Sequence, residues 1–342
     1  MAGVNAFAAH PAPCPTTQAS PHPSSLTAPR PIPSVGIMPE LPEVETVRRL
    51  LEASVRGRTI DAVRLSGLEL REPIPRTLPR RLRGLRMVAA RRHGKYLLLE
   101  LDGGLTLLSH LGMSGRWLFH PSPPVNDMQH VHARIRFVDG AQLWYQDPRR
   151  FGLLRLVATA RLGLDPRLSG LGPDPVERPP SGAWLKELAA GARNSVKDFI
   201  MDQRRLAGIG NIYASEILHR AAVDPRTPAG RVAGDRWDAI ARETGAVLAE
   251  AIERCGTTFS TYRTLWNEPG GYGGQLRVYD RPGEPCRVCG TAIRRIVQGA
   301  RSTYYCPVCQ PPAGRTRRPR PRQRASRARS RGRGGPRGRR PA

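Results

Sequence analysis

Four cysteines near the C-terminus have the spacing of a metal site. They form two CxxC pairs, Cys286 with Cys289 and Cys306 with Cys309, and sixteen residues separate the pairs. Two thiolates three residues apart can bind one tetrahedral ion, and a second pair completes a Zn²⁺ site without an open coordination position. The pattern therefore predicts one structural zinc ion, with a pair of disulfides as the alternative.

Arginines and tyrosines lie between the two cysteine pairs. Arg301 is accompanied there by Arg294, Arg295, Tyr304 and Tyr305. A zinc-braced hairpin that presents arginine is suited to phosphate binding, because the guanidinium can donate two parallel hydrogen bonds to an oxyanion. A solvated hairpin surface would have the same composition.

A glycine-rich turn joins two helical patterns in the segment "RLAGIGNIYASEIL", residues 205–218. Gly208 and Gly210 allow the backbone to approach a ligand closely, and the helix that follows presents unpaired N–H groups that favour phosphate. Asn211 offers a further donor. A plain helix–helix turn would also use glycine, so this motif alone does not decide between the two.

Three other stretches place chemically useful side chains in turns or at strand ends. Lys95 begins an apolar strand pattern, "HLGMSGR" contains His110 and Met113, and "DPRRFG" contains Arg149 and Phe151. Exposed methionine, arginine and phenylalanine are suited to filling the hole that an extruded base leaves in a stack. Taken singly, each residue also fits ordinary packing or surface charge.

The elements that must position these residues follow from the pattern of apolar residues. Residues 1–37 are rich in Pro, Ala, Ser and Thr and predict a disordered leader. Helical spacing over 44–57 and a series of short strand patterns separated by glycine turns predict an antiparallel sandwich or barrel, within an N-terminal domain at 38–161. Residues 162–180 are rich in Pro and Gly and predict a linker.

The second half of the chain has a different pattern. Four helical segments and a Gly- and Tyr-rich loop occupy 181–275, and the cysteine-bearing module follows at 276–310. The last segment, 311–342, is rich in arginine and predicts a disordered tail. The sequence thus predicts two domains and a zinc module between two disordered ends.

The charge of the chain indicates a polyanionic partner. The net charge is +27 over 342 residues, and residues 313–342 contain thirteen arginines and no acid, so residues 1–312 still have +14. A chain this basic is expected to bind nucleic acid. No apolar run is long enough to span a membrane and no secretory signal precedes the domains. A cytoplasmic location is therefore expected, and it favours zinc over disulfides.

Eight segments, in order from Met38 to Cys309, resemble one family closely. They are "MPELPEVETVRR", "HGKYLLLEL", "HLGMSG", "DPRRFG", "GIGNIYASEIL", "GTT", "PGGYGGQLRVYDRPGEPC" and "RSTYYCPVC". This set is similar to the bacterial formamidopyrimidine-DNA glycosylases, bifunctional enzymes that remove 8-oxoguanine and ring-opened purines. The resemblance implies an α+β fold: a β-sandwich flanked by helices, a helix–two-turn–helix domain and a zinc finger.

The resemblance gives the segment that begins at Met38 a chemical role. In the family, removal of the initiator methionine leaves a proline whose secondary amine attacks the sugar C1′ and forms a Schiff base. A peptide-bonded nitrogen is delocalised into its carbonyl, whereas a free α-amine is partly unprotonated at neutral pH. Pro39 can therefore act only as a chain terminus, and we expect translation from Met38, or processing that exposes Pro39.

The family pattern implies roles for four more residues in the reaction. Glu40 matches the residue for proton transfer at the sugar ring, and Lys95 matches the lysine of β-elimination. Arg301 matches an arginine that contacts phosphate and takes part in δ-elimination. Glu216 matches a glutamate that supports the N-terminal amine.

The resemblance also implies contacts with double-stranded DNA. The sequence departs from the family pattern at three positions. Met128 stands where a DNA-contacting histidine is common, Asp280 where glycine is usual, and Ala192 where a basic residue is expected. The resemblance implies that His110 and Asn211 contact phosphates and that Lys197 lies near the flipped base. Arg193 is the substitute for the basic residue expected at Ala192. The residues implied to fill the space of the extruded base and to contact its orphaned partner are Met113, Arg149 and Phe151.

Other functions remain open at this point. Endonuclease VIII, a sibling that prefers oxidised pyrimidines, begins Pro-Glu-Gly-Pro-Glu, whereas this chain has Leu41 at the third of these positions. Together with the long loop between residues 258 and 276, Leu41 favours the enzyme for oxidised purines. The resemblance further implies a monomer whose partner is double-stranded DNA with oxidised purines or abasic sites. Two alternatives are a catalytically blocked lesion-binding protein and a zinc-ribbon protein that acts on RNA.

Overall fold

The computed structural model describes residues 38–258 and 262–312. The predicted leader and nearly all of the predicted tail lie outside these residues. Six α-helices are described: α1 Leu41–Val55, α2 Leu78–Leu82, α3 Gly182–Leu188, α4 Val196–Met201, α5 Asn211–Arg220 and α6 Gly234–Glu253. Ten strands are described: β1 Ile60–Leu65, β2 Met87–His93, β3 Tyr96–Leu101, β4 Leu105–His110, β5 Arg116–His120, β6 Val131–Phe137, β7 Gln142–Gln146, β8 Leu153–Ala158, β9 Arg294–Gln298 and β10 Arg301–Tyr305.

The N-terminal domain is an antiparallel β-sandwich. One sheet has the strand order β1-β6-β7-β5 and the other has β2-β3-β4-β8. Their inner faces share a core that includes Leu99, Leu107, Trp117, Ile135 and Leu143, all fully buried. Alternating strands bury one face in this way, because successive side chains point to opposite sides of the sheet. The sheets are open at their edges, so the prediction of a sandwich is confirmed and the barrel alternative is not.

Helix α1 belongs to both domains. Val44, Val47 and Leu51 pack into the core of the sandwich, whereas Leu41, at the first position of the helix, packs into the core of the helical domain. The residues that precede the helix, Pro39 and Glu40, are consequently buried at the junction of the two domains.

The helical domain and the zinc module share one hydrophobic core. Ile217 of α5, Trp237 of α6, and Cys286 and Tyr304 of the cysteine-bearing module belong to the same buried cluster. Strands β9 and β10 form the antiparallel hairpin of that module. Every helix in the described part of the chain is too short or too polar to cross a bilayer.

Candidate active site

Glu40 starts helix α1 and at the same time caps the beginning of helix α5. Its backbone N–H donates to Oε2 of Glu43 at 2.9 Å, which fixes the first turn of α1. Its carboxylate accepts hydrogen bonds from the backbone N–H groups of Ile212, at 2.9 Å, and Tyr213, at 3.3 Å, in the first turn of α5. A helix N-terminus favours a negative charge. Burial nevertheless raises the pKa of Glu40, although nearby Lys95 and these amides act in the opposite direction.

The glycine turn before α5 accommodates the start of α1. Gly208 has a φ of +97°, and a Cβ there would lie 2.7 Å from the side chain of Leu41. A Cβ on Gly210 would lie 2.3 Å from the carboxyl carbon of Glu40. The N–H of Leu41 also donates to the Gly208 carbonyl at 3.1 Å. The sequence pattern favoured phosphate at the backbone amides that begin α5. In the structure these amides bind the Glu40 carboxylate.

Glu43 is a second buried acid that the sequence reasoning missed. It accepts hydrogen bonds from the Thr257 N–H, at 2.7 Å, and from the Tyr213 hydroxyl, in addition to the Glu40 N–H. Burial, followed by the charge of Glu40, raises its pKa to about 7. The signal available in the sequence was the second acid of "PELPE", directly before the apolar face of the helix.

Lys95 follows a turn that a buried ion cluster holds in place. Arg92 donates to Glu45, at 3.0 Å, and to Asp174 of the interdomain segment, while Asp174 also accepts the Gly94 N–H at 2.9 Å. The Arg92 guanidinium further donates to the Gly94 carbonyl at 3.1 Å. Burial lowers the pKa of Lys95, and the charges of Glu40 and Glu43 oppose this effect.

A cavity of about 680 Å³ opens beside these residues. Its wall includes Met38, Glu69, Arg71, His110, Met113, Arg149 and Phe151. His110 Nδ1 accepts the Gly112 N–H at 2.9 Å, and burial lowers the pKa of the imidazole to about 4. The ring is therefore neutral at pH 7. Because Nδ1 accepts, the proton is assigned to Nε2, which could donate a hydrogen bond to a phosphate oxygen. Arg71 was not predicted, and only its charge in a loop could have signalled it.

The three predicted void-filling residues lie on two adjacent turns. Met113 is half-buried, and Phe151 is 45% exposed with the Arg149 guanidinium 4.9 Å from its ring centroid. Gly112 has a φ of +61°, and a Cβ there would lie 2.5 Å from the carbonyl carbon of Phe151. The two turns thus pack backbone to backbone, and glycine is required at the contact.

The helical domain and the zinc module supply polar groups to the same region. Asn211 Nδ2 donates to the Ser302 carbonyl at 2.9 Å, and Lys197 Nζ donates to Asn211 Oδ1 and, at 2.7 Å, to Thr303 Oγ1. Burial lowers the pKa of Lys197 to about 8. The hydroxyl of Tyr279, another residue not predicted, lies 3.4 Å from Asn211 Nδ2.

The other two arginines with predicted contacts, Arg301 and Arg193, are solvent-exposed. Arg301 begins β10 directly after the hairpin turn at Gly299 and Ala300, whose φ angles are 51° and 60°. Its charge contributes to lowering the pKa values of both Lys95 and Lys197. Arg193 lies in the turn before α4. Arg301 therefore belongs to the same electrostatic environment as Lys95.

Glu216 binds backbone amides. Its carboxylate accepts from the N–H groups of Arg277, Val278 and Tyr279 at 2.8–2.9 Å. These contacts hold the segment that enters the zinc module. The role that the resemblance implies for Glu216 at the N-terminal amine stays a prediction.

The departures from the family pattern have local explanations. Met128 packs against an apolar cluster of Leu118, Val131 and Trp144 on the outer face of the sandwich. Asp280 has a φ of 56°, a conformation that aspartate tolerates better than most residues, and its carboxylate accepts a hydrogen bond from Tyr304 at 3.1 Å. Ala192 packs against the core of the helical domain.

The four cysteine sulfurs have the arrangement of a tetrahedral metal site. All four Sγ atoms lie within 4.8 Å of one another, with 3.9 Å between Cys286 and Cys309 and 3.4 Å between Cys289 and Cys306. Four thiolates about 2.3 Å from a tetrahedral zinc would be about 3.8 Å apart. The residues therefore fit one structural Zn²⁺, as predicted.

Comparison with known proteins agrees with this geometry. Family models match for the formamidopyrimidine-DNA glycosylase N-terminal domain at 38–154, its H2TH domain at 171–263, and the zinc finger found in FPG and IleRS at 283–312. The formamidopyrimidine-DNA glycosylase of Methylococcus capsulatus is 46% identical over 273 residues, which is 80% of this chain and 100% of that relative.

Solved structures are similar over the same region. The MutM (FPG) protein of Thermus thermophilus is 37% identical with a TM-score of 0.70, covering 80% of this chain and 98% of that one. A Lactococcus lactis FPG mutant in complex with Fapy-dG-containing DNA is 30% identical with a TM-score of 0.73, covering 80% and 100%. The predicted resemblance is confirmed: the chain belongs to the formamidopyrimidine-DNA glycosylase family.

Proposed function

We propose that this DNA glycosylase removes oxidised purines from duplex DNA through a Schiff base on Pro39 and then cleaves the strand by β,δ-elimination. The observation that supports this best is the burial of Pro39 and Glu40 at the domain junction, where Lys95 and Arg301 contribute to one electrostatic environment. Beside this junction lies a cavity whose wall includes Met113, Arg149 and Phe151.

The glycosylase step needs an amine nucleophile and a proton donor. The Pro39 lone pair forms a bond to C1′ of the damaged nucleotide, and the electron pair of the broken N-glycosidic bond leaves with the base. The base takes up the proton that the Pro39 nitrogen loses. As the sugar ring opens, Glu40 gives a proton to the ring oxygen. The raised pKa of Glu40 suits this role, because a buried carboxyl retains its proton to higher pH.

The lyase steps need a base and phosphate contacts. Once the Pro39 iminium has formed, removal of a proton from C2′ expels the 3′ phosphate together with the electron pair of its C–O bond. Lys95 is suited to accept that proton, because its lowered pKa increases the share of neutral amine. A second elimination expels the 5′ phosphate, and the exposed Arg301 is placed to contact the phosphates.

The DNA partner is proposed from the chemistry and from the relatives. The Lactococcus lactis neighbour is a complex with Fapy-dG-containing DNA, and Leu41 in place of glycine distinguishes this chain from the sibling that prefers oxidised pyrimidines. We therefore assign duplex DNA with oxidised purines or abasic sites as substrate. We further propose that the protein acts as a monomer in the cytoplasm, at the nucleoid.

The position of the chain start decides whether the reaction can occur. The N-terminal family model matches from residue 38, and a nitrogen that is in a peptide bond to Met38 is not a nucleophile. We propose that the active enzyme begins at Pro39. The alternative is a protein that retains residues 1–38 and binds lesions without cutting them.

Borohydride trapping on an 8-oxoguanine duplex tests the proposal. Protein that begins at Pro39 is expected to form a covalent adduct, and protein with residues 1–38 retained is expected to bind the duplex without forming one. The P39G variant keeps a free amine and is expected to form the trapped adduct weakly. The E40Q variant removes the proposed acid and is expected to lose base release. Absence of an adduct from the Pro39-initiated protein would refute the proposed reaction, and N-terminal sequencing of native protein would identify the form present in the cell.

A further inference from the structure

A buried histidine of the helical domain contacts the cysteine cluster. His219 Nε2 lies 3.5 Å from Cys286 Sγ, and both residues are at most 3% exposed. His219 belongs to the last turn of α5, whereas Cys286 opens the first CxxC pair, 67 residues later in the chain. The contact therefore joins helix α5 to the zinc module.

A second buried polar residue connects the other cysteine pair to the same end of α5. The side chain of Gln310 donates to the Val223 carbonyl at 2.8 Å, and its amide oxygen accepts the Cys306 N–H at 2.9 Å. Each CxxC pair thus has one polar link to the helix end. Two other residues of α5 also hold this module. Asn211 donates to the Ser302 carbonyl, and Glu216 accepts from the backbone of the segment that leads into the module.

The chemistry of four thiolates explains why a donor is needed here. Four thiolates leave a zinc centre negatively charged, and Cys286 is 3% exposed, so water has little access to its sulfur. An N–H donor aimed at such a sulfur stabilises the thiolate and fixes its orientation, as outer hydrogen bonds do at metal sites generally.

We propose that His219 Nε2–H donates a hydrogen bond to the zinc-bound thiolate of Cys286, and that His219 is a positioning residue that holds the zinc centre on helix α5. The bond places the imidazole proton on Nε2. Because α5 begins at Asn211 and the module presents Arg301, the bond also keeps these two polar groups in a fixed relationship. The inference concerns the zinc finger itself and stands independently of the reaction proposed for Pro39.

Two substitutions separate the hydrogen bond from the packing of the ring. H219F keeps a planar ring of similar volume but removes the N–H, whereas H219Q removes the ring and retains an amide N–H at a similar distance from the backbone. H120F supplies the matched control, since His120 is a half-buried histidine of β5 whose ring packs on Trp144, far from the cysteines in the fold.

The measurement is the rate of zinc release from the full-length protein into excess chromogenic chelator. H219F is expected to release zinc about 10- to 100-fold faster than wild type, as for other outer-shell losses, while H219Q and H120F stay within a few-fold of it. In cobalt-substituted protein, the sulfur-to-metal absorption band of H219F is expected at longer wavelength, because a thiolate without a donor holds its electrons less tightly.

Two outcomes would overturn the inference. One is zinc release from H219F at the wild-type rate with an unshifted cobalt band. The other is zinc release that is equally fast in H219F and H219Q, with the same cobalt spectrum in both variants. The packing of the imidazole ring, rather than its N–H, would then hold the zinc site.

Discussion

The hydroxyl of Ser114 donates a hydrogen bond to Oδ1 of Asp147 and connects the two turns that present the predicted void-filling residues. The same hydroxyl accepts the N–H of Arg149 at 3.1 Å, and Asp147 Oδ2 accepts the N–H of Gly152 at 2.7 Å. Met113, directly before Ser114, is thereby fixed relative to Arg149. If these residues fill the void as proposed, the connection is expected to make them enter a base stack as one unit.

Replacement of this serine is expected to impair the release of the damaged base. S114A leaves a buried carboxylate oxygen and the Arg149 N–H without a partner, which costs about 1–3 kcal/mol. We expect single-turnover base release from an 8-oxoguanine duplex to slow by about 10-fold, since about 1.4 kcal/mol is a tenfold change. Cleavage of a preformed abasic site, which has no base to extrude, should slow less.

S181A is the matched control for this loss. Ser181 caps helix α3 by accepting the Trp184 N–H, so its replacement costs a similar energy far from the two turns. Equal slowing of both substrates by S114A would contradict a role specific to base extrusion.

The pKa of Glu43 predicts a pH dependence of stability. Its folded pKa of about 7 lies above the ordinary value of 4.5, so the folded state binds more protons than the unfolded state between these pH values. The stability contribution of this group is therefore fully present below pH 4.5 and is lost as the pH rises through 7, by at most about 3 kcal/mol. Urea unfolding of wild type and E43Q at about pH 4.5 and about pH 7.5 measures it.

The glutamine variant cannot titrate at this position and is expected to lose less stability over the window than wild type does. E253Q, at an exposed position at the end of α6, is the control and should behave as wild type. Parallel losses in E43Q and wild type would show that another group is responsible.

The elements and the zinc site could be predicted from the sequence because their signals are local. Alternation in "VHARIRF" corresponds to the strand Val131–Phe137, and the CxxC spacing corresponds to four clustered sulfurs. In each case the residues that interact lie within one short segment or share a strict spacing, so a one-dimensional pattern contains the information.

The contacts that shape the site could not be predicted, because they join distant segments. Glu40 binds the Ile212 amide 172 residues away, and Glu43 binds the Thr257 amide 214 residues away. A glycine motif indicates that something approaches the backbone closely, but it does not say which group. Phosphate was expected at the turn before α5, and the side chains of Glu40 and Leu41 lie there instead.

The ion pair of Arg92 with Asp174 is expected to stabilise the fold and the position of Lys95. Both side chains are 1% exposed. Removal of Arg92 leaves the buried Asp174 carboxylate without a cation, and removal of Asp174 leaves the buried Arg92 with Glu45 alone as its charge partner. R92A and D174A should each lower the free energy of unfolding by about 3–5 kcal/mol, and the double variant by less than the sum of the two. The measurement is a double-mutant cycle by urea unfolding.

An exposed pair serves as the reference for this cycle. Arg136 and Asp61 form an ion pair whose side chains are 53% and 37% exposed, so R136A should cost less than about 1 kcal/mol. Additive losses in R92A and D174A would mean that the two residues stabilise the turn before Lys95 independently.

The close approach of Gly210 to Glu40 makes alanine intolerable at this position. A Cβ there would lie 2.4 Å from Oε1 and 2.3 Å from the carboxyl carbon of Glu40, so the carboxylate must leave the first turn of α5. We expect G210A to lower the single-turnover rate of base release by more than about 10-fold. The expectation holds because misplacing a reacting group by about 1 Å can cost about 10²-fold in rate.

Gly245 provides the opposite case within the same domain. It lies in the interior of α6, and apart from neighbouring backbone of the helix itself no atom lies within 4 Å of the position that a Cβ would take there. G245A should therefore stabilise the protein by about 0.5–1 kcal/mol and leave base release unchanged. A folded G210A protein that releases the base at the wild-type rate would contradict this expectation. The contact of Glu40 with α5 would then stabilise the fold and would not be needed for the reaction.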